Sequence, residues 1–425
     1  MIQNLLRVIL STLCLFSIVF SPARTAANGS QDTRMLSRWL EYNRDSKTLL
    51  PYSHVGDSRL RHWTMTYDSG VTALAYLALE RTEEAQKIID FYINTPRVWR
   101  LGGIIDGINI HKPDLGVSWT VRTGSNTWIG LAALHLYNRT KEDRYRDLAV
   151  RIGDFLLYLQ NKNHNIPNYG GIRMGPAGDP KIPTDQRLNY SLSAPRLHDI
   201  FSTEHNVTAF AFLNMLFDTT RLERFARARK RVWLWLKEYG FNTQGHYFNR
   251  GSHASGRRDT VFATDVQSWA LSALGQQRLE QLEPGLTERL LQIIQKNALN
   301  RLTFQNKNGV PVKISGVDFV DHETAAGLGR DPLISPEWTF QLATAISSIR
   351  ASDQFLRLRD ELNSSMLTLA KSQSQRGGLP YATSGDVPIG HEYNTPRLPN
   401  QSVIGVSYGI LSLTEFDPLS PAAQQ

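Results

Sequence analysis

Cysteine is almost missing from this chain. Of its 425 residues only Cys14 carries a thiol, and it lies in an apolar stretch near the N-terminus. The remainder has no disulfide, no thiol nucleophile and no cysteine-ligated metal. Long apolar runs are missing too. Beyond residue 27 no segment reaches the roughly 18 unbroken apolar residues of a membrane span. There is no His-Glu-x-x-His pair, P-loop, nucleotide-binding glycine fingerprint or Gly-x-Ser-x-Gly elbow. No metal and no cofactor is therefore expected. Nothing resembles a nucleic-acid module. The densest basic run, "RLERFARARKRVWLWLK", leaves an apolar stripe free and reads as the solvated face of an outer helix.

The first residues have a different character. Arg7 precedes "VILSTLCLFSIVF", and "SPARTAA" follows with small residues suited to cleavage near Ala27. Residues 1–27 read as a secretory leader, with a retained anchor as the alternative. The expected location is secreted or periplasmic, with no stable membrane insertion once the leader is gone. The formal charge of +8 falls to +6 when Arg7 and Arg24 leave with it. That balance is compatible with an acidic partner.

What the chain has in quantity is helix of two kinds. Six segments are apolar nearly all round, the pattern of buried helices. They are "YDSGVTALAYLALE", "TGSNTWIGLAALHLYN", "STEHNVTAFAFLNMLF", "ATDVQSWALSALG", "SPEWTFQLATAISSI" and "PNQSVIGVSYGILSL". Six charged segments alternate with them, from "DTRMLSRWLEYNRD" to "DQFLRLRDELNSSMLTLAKSQ", with apolar residues at i, i+3, i+4 and i+7. Glycine-led extended pieces such as "LGGIIDGIN" and "NGVPVKISG" follow most charged segments. Six inner and six outer helices describe an all-α (α/α)6 toroid, with short β-hairpin loops gathered at one end. No linker or composition break divides the chain, so residues 28–425 are expected to form one domain.

The starts of the inner helices would then ring a single cavity. Aligned on their small-residue runs, they read Asp68-Ser69-Gly70, Gly124-Ser125-Asn126, Glu204-His205-Asn206, Asp265-Val266-Gln267, Glu337-Trp338-Thr339 and Asn400-Gln401-Ser402. Acids, amides and indoles together suit a sugar. Polar groups grip hydroxyls, and aromatic faces cover the apolar faces of pyranose rings. Acids in a first helical turn also serve as caps, so each residue alone has a structural reading. "SPEW" is a good helix start in its own right, which favours capping for Glu337. Glu204 is harder to read as a mere cap, because a cap does not call for His205 and Asn206.

Breaking a glycosidic bond needs one protonated and one ionised carboxyl group. Glu204 is expected as the acid and Asp265 as the base. The reverse, or a pair drawing on Asp68 or Glu337, is open. His205, Asn206, Asn126 and Gln267 are expected to bind substrate, together with Trp128, Trp269, Trp119, Tyr67 and Tyr381. Tyr393 and the pair His391-Glu392 are weaker candidates. His205 is either a sugar ligand, a proton shuttle or a satisfied core histidine. The long connections 177–200 and 314–334 read as binding loops or lids.

The twelve-helix alternation, the Gly-Gly hairpins and the segments "TGSNTWIGLAALHLY", "STEHNVTAFAF" and "ATDVQSWAL" resemble the six-hairpin glycosidase superfamily over nearly all of residues 28–425. The resemblance implies the toroid fold and a poly- or oligosaccharide substrate. It admits glycoside hydrolases, polysaccharide lyases and sugar epimerases. A lyase acting on a uronate wants a neutralising arginine, and Arg122, Arg173 and Arg397 are available near the rim. A glycan-binding toroid without chemistry is the remaining alternative.

Overall fold

The computed structural model describes residues 30–177, 197–306, 308–373, 377–390 and 393–420. The expected leader, most of the 177–200 connection and the pair His391-Glu392 lie outside them.

The helices run in chain order as α1 (Gln31–Tyr42), α2 (Thr66–Ala78), α3 (Thr82–Asn94), α4 (Thr123–Thr140), α5 (Asp143–Leu159), α6 (Thr203–Thr220) and α7 (Glu223–Trp235). Then come α8 (Thr264–Leu282), α9 (Leu286–Asn297), the short α10 (His322–Gly327), α11 (Pro336–Ser347), α12 (Asp353–Gln373) and α13 (Val403–Leu413). α2 packs on α4, α4 on α6, α6 on α8, α8 on α11, α11 on α13, and α13 returns to α2. That closed ring is the inner barrel. α3, α5, α7, α9 and α12 each pack outside the inner helix that precedes them in the chain, and α1 packs on α13. The fold is an all-α (α/α)6 toroid.

Burial follows the two helix types. In α2 every residue from Asp68 to Ala78 is buried, as are nearly all residues of α11 and α13. In α9 only Leu286, Thr287, Leu290, Leu291 and Ile294 are buried, a single stripe. An outer helix has one neighbouring layer, and an inner helix has neighbours on every side. α8 breaks at Gly275, whose φ of 67° and ψ of 163° are open to glycine but strained for other residues. No described helix is long and apolar enough to cross a membrane.

Short strands lead into the inner helices. Trp63–Met65 precedes α2 and pairs with Gly103–Asn109, which in turn pairs with Lys112–Val121 before α4. Ile200–Ser202 precedes α6 and pairs with Tyr247–His253, the partner of Arg258–Phe262 before α8. Leu299–Gln305 and Pro311–Val317 form a hairpin ahead of α11. His54–Val55 pairs with Gln401–Ser402, so the first and last loops are joined. These strands place the N-terminal ends of all six inner helices at one mouth.

Candidate active site

The helix boundaries set a register that the sequence alignment missed. Counting from the first helical residue, the second positions are Tyr67, Gly124, Glu204, Asp265, Glu337 and Ile404. Asp68 is a third-position residue, equivalent to His205 rather than to Glu204. Asn400 lies before α13 altogether. Three acids, not four, share the equivalent place.

Capping does not account for two of them. In α6 the cap is Ser202, whose hydroxyl accepts from the backbone N–H of His205 at 3.3 Å. In α11 it is Ser335, accepting from Trp338 at 3.4 Å. Glu337 instead reaches across the ring. Its Oε1 accepts from the Tyr67 hydroxyl at 2.7 Å and from Gln341 Nε2 at 3.1 Å. The Tyr67 hydroxyl also lies 3.2 Å from that of Tyr408.

The carboxyls sit in a poorly hydrated, mutually repelling cluster. Asp265, Glu337 and Asp68 are buried, and Glu204 is partly exposed. Burial raises Glu337 to about 8, with the negative charges of Asp68 and Glu204 adding to it against the Tyr67 hydrogen bond. Burial raises Asp68 to about 7, opposed by the Ser53 hydroxyl. Glu204 rises to about 7 through burial, opposed by the positive charge of Arg122. Asp265 is driven well above the carboxylate range by burial, then by the charge of Glu204, against a hydrogen bond from the Val266 N–H.

One turn deeper, on the same faces, stand the sixth-position residues. Four of them are Trp128, Trp269, Gln341 and Tyr408. The Trp128 and Trp269 rings are 5.3 Å apart, Tyr67 meets Trp128 at 5.7 Å, and Tyr408 meets it at 6.1 Å. This aromatic floor closes the barrel below the acids. Trp128 Nε1, Trp269 Nε1, Gln341 Oε1 and His205 Nδ1 are buried there without a protein partner. Such groups cost about 1–3 kcal/mol each if left unpaired, so this many together mark a place for a polar ligand. Gly124 makes room for His205, because a Cβ there would lie 2.5 Å from its ring. Burial, helped by Arg122, pushes His205 down to about 3. Its resting form is then the neutral imidazole.

The three amides expected to bind substrate are placed elsewhere, and this is a correction. Asn126 accepts from Ile104 N–H at 2.7 Å and donates to Ile104 C=O at 2.9 Å and Arg122 C=O at 2.8 Å. Asn206 makes the same pattern with Ile172 and Ser202, at 2.8, 2.9 and 2.8 Å. Gln267 repeats it with Phe248 and Ala263, at 2.8, 2.8 and 3.0 Å. All three are fully buried fourth-position residues that tie an extended segment to an inner helix. No donor remains for a sugar.

Other expected residues divide. Tyr381 joins the site: burial and the charges of Glu337, Asp68 and Asp265 hold its hydroxyl well above its ordinary value. Its ring stacks on Phe319 at 5.6 Å. Trp119 stands on its hairpin with the Arg100 guanidinium 4.5 Å above its ring. Arg122 faces the acids but is held by Asp106, Nε to Oδ2 at 2.8 Å, and its guanidinium also contacts the Tyr393 hydroxyl. Arg173 donates to the carbonyl of His198 at 2.6 Å, and Arg397 pairs with Asp386 at 2.9 Å. The 314–334 connection is pinned rather than lid-like. Asp318 and Arg330 form a buried ion pair at 2.6 Å, and Asp318 also accepts from Leu333 N–H at 3.0 Å. Sequence reasoning missed Gln341, Tyr408 and Asp106. Reading four residues on from each acid or its equivalent would have found the first two.

No family model matches the chain, and no curated protein sequence does. Solved structures do share its fold. A D-mannose isomerase is 12% identical with a TM-score of 0.61, over 93% of this chain and 99% of that one. A family 76 glycoside hydrolase from a bovine Bacteroides thetaiotaomicron strain is 12% identical with a TM-score of 0.57, over 92% and 78%. An unsaturated glucuronyl hydrolase from Bacillus sp. GL1, described as degrading glycosaminoglycan, is 12% identical with a TM-score of 0.54, over 90% and 94%.

Proposed function

We propose that this protein is a secreted or periplasmic glycoside hydrolase that cleaves a poly- or oligosaccharide at the mouth of the toroid. The observation that carries the reading is the set of three carboxyls at equivalent second positions, Glu204, Asp265 and Glu337, over an aromatic floor with unpartnered donors. The fold shared with glycoside hydrolases agrees with it.

The electrostatics favour a division of labour opposite to the one expected from sequence. Asp265 is the more buried, and the charges of both Glu204 and Glu337 favour its protonated form. Glu204 is partly exposed and sees Arg122, which favours the anion. Asp265 is then the acid. It gives its proton to the glycosidic oxygen as the bond to the anomeric carbon breaks. Glu204 takes a proton from the attacking water, whose oxygen forms the new bond to that carbon. Glu337, held by Tyr67 and Gln341, orients the sugar through hydroxyl contacts. Trp128 and Trp269 supply an apolar face and two N–H donors to sugar oxygens.

A uronate lyase is less well supported, because the Arg122 guanidinium is held in place by Asp106 and faces Glu204 rather than standing free for a substrate carboxylate. An isomerase or epimerase would draw on His205, whose unpartnered Nδ1 speaks for it together with the fold shared with the D-mannose isomerase. The test is a panel of neutral and acidic glycans with purified protein. New reducing ends without an ultraviolet-absorbing unsaturated uronate support hydrolysis. Unsaturated product, interconversion of free sugars, or binding without turnover overturns it. N-terminal sequencing of exported protein tests the location, with cleavage expected near Ala27.

A further inference from the structure

The basic run on α7 does more than solvate an outer helix. It borders a hollow of about 370 Å³ on the wall of the toroid, between α6, α7 and the part of α8 beyond its break. Phe210 and Trp233 form its apolar side, 6.1 Å apart. Arg227, Arg229, Lys230 and Arg278 surround it, and Glu223 is the one acid in its lining. Lys237 adds a further cation, 5.9 Å from the Trp233 ring.

Neighbouring arginines are neutralised: Arg224 pairs with Asp154 at 2.8 Å and Arg221 with Asp218 at 3.4 Å. Arg227, Lys230 and Arg278 take part in no ion pair among the described residues. Arg278 is half-buried over the Phe210 ring at 5.1 Å, and Arg229 bonds to a neutral amide, Asn214. Burial and the like charge of Arg229 push Arg278 below its ordinary value. The protein thus holds several like charges around an aromatic wall without an acid to balance them.

We propose that this hollow is a second, non-catalytic carbohydrate site that binds an acidic glycan bearing carboxylates or sulfates. Guanidinium groups pair with planar or tetrahedral anions through parallel N–H bonds. The half-exposed Trp233 ring, backed by the buried Phe210, gives an apolar contact for the apolar face of a pyranose, which a bare polyanion lacks. The hollow has the size of a small-ligand site. It opens on the outer wall, since Phe210 is the eighth residue of α6 and Arg278 follows the α8 break, both well below the mouth. The inference does not depend on the chemistry at the mouth.

The experiment measures binding, not turnover. Full-length mature protein is titrated with size-fractionated heparin oligosaccharides, an uncharged dextran of equal length, inorganic polyphosphate and a short DNA duplex. Saturable heparin binding is expected, weakening as salt rises. Dextran is expected not to bind. Arg278→Gln and Trp233→Ala are each expected to weaken heparin binding by roughly fivefold or more. The exposed double variant Arg227→Gln/Lys230→Gln serves if Trp233→Ala does not fold. Polyphosphate or DNA binding as tight as heparin overturns the proposal, because charge alone would then suffice. Absence of heparin binding, or heparin binding unchanged in folded Trp233→Ala and in the double variant, overturns it too.

Discussion

The second and fourth positions of the inner helices are three ångströms of rise apart by helix geometry, yet they treat polar side chains in opposite ways. At the fourth position Asn126, Asn206 and Gln267 have every amide donor bonded to backbone. Thr339 follows the same rule, accepting from Val317 N–H at 3.0 Å and donating to Ser335 C=O at 2.7 Å. At the second position Glu204, Asp265 and Glu337 crowd together with raised pKa values. The fourth-position layer lowers the energy of the fold, and the second-position layer raises it. Polar residues that a fold tolerates at a cost are where chemistry is to be sought.

The comparison breaks most sharply on turnover. Asp265→Asn and Glu204→Gln are each expected to slow hydrolysis by roughly a hundredfold or more, with melting temperature unchanged or higher. Activity assays alongside thermal melts check this. Near-native turnover in both variants would remove the pair from the mechanism and move attention to Glu337 and Asp68.

The fourth position should give the reverse. Asn206→Ala leaves both backbone groups of Ile172 buried without partners, so unfolding free energy is expected to fall by about 2–4 kcal/mol. The molecules that remain folded are expected to keep turnover within a few fold. Denaturant unfolding and active-site-normalised rates separate the two effects.

Stability against pH sharpens the contrast further. The clustered acids have folded pKa values above their unfolded ones, so the folded state holds protons that the unfolded chain releases. The contribution of these acids to stability is fully present near the unfolded carboxyl value and is lost as pH rises toward about 8, where Glu337 titrates. The buried His54, His135 and His205, pushed down by burial, act in the opposite sense below the ordinary imidazole value. Glu337→Gln is expected to flatten that decline. A melting temperature that rises between neutral and mildly alkaline buffer, where the histidines no longer titrate, contradicts the electrostatic account.

The smallest effect is expected from Tyr67→Phe. It removes the donor to Glu337. Glu337 should then titrate higher still, stability should change by no more than about 1 kcal/mol, and turnover should fall severalfold. Carboxyl titration by NMR in the two proteins measures the shift.

Much of the fold was legible. Apolar residues on every side of "VTALAYLALE" and one-sided stripes in "LTERLLQIIQKNAL" distinguish inner from outer helices without any contact information. The site was legible only in part. Glu204, Asp265 and Glu337 stand out in the sequence because acids at helix starts are conspicuous, and the structure gives them equivalent positions. The register of α2 does not stand out, since Asp68 looks like an acidic start, whereas the helix begins at Thr66 and puts Tyr67 in that place. The amides were misread because their partners are distant. Asn126 bonds to Ile104 and Asn206 to Ile172, across 22 and 34 residues of chain. The order of the carboxyl pKa values was out of reach for the same reason, since it depends on where Arg122 stands relative to Glu204.

The central claim is that the second-position acids drive the addition of water across a glycosidic bond. Mass spectrometry of the products formed in water carrying heavy oxygen tests it directly. The account predicts one heavy oxygen at each newly formed reducing end with the unaltered protein, and essentially none formed over the same time with Asp265→Asn. Cleavage without heavy oxygen, or equal labelled product from Asp265→Asn, would contradict it.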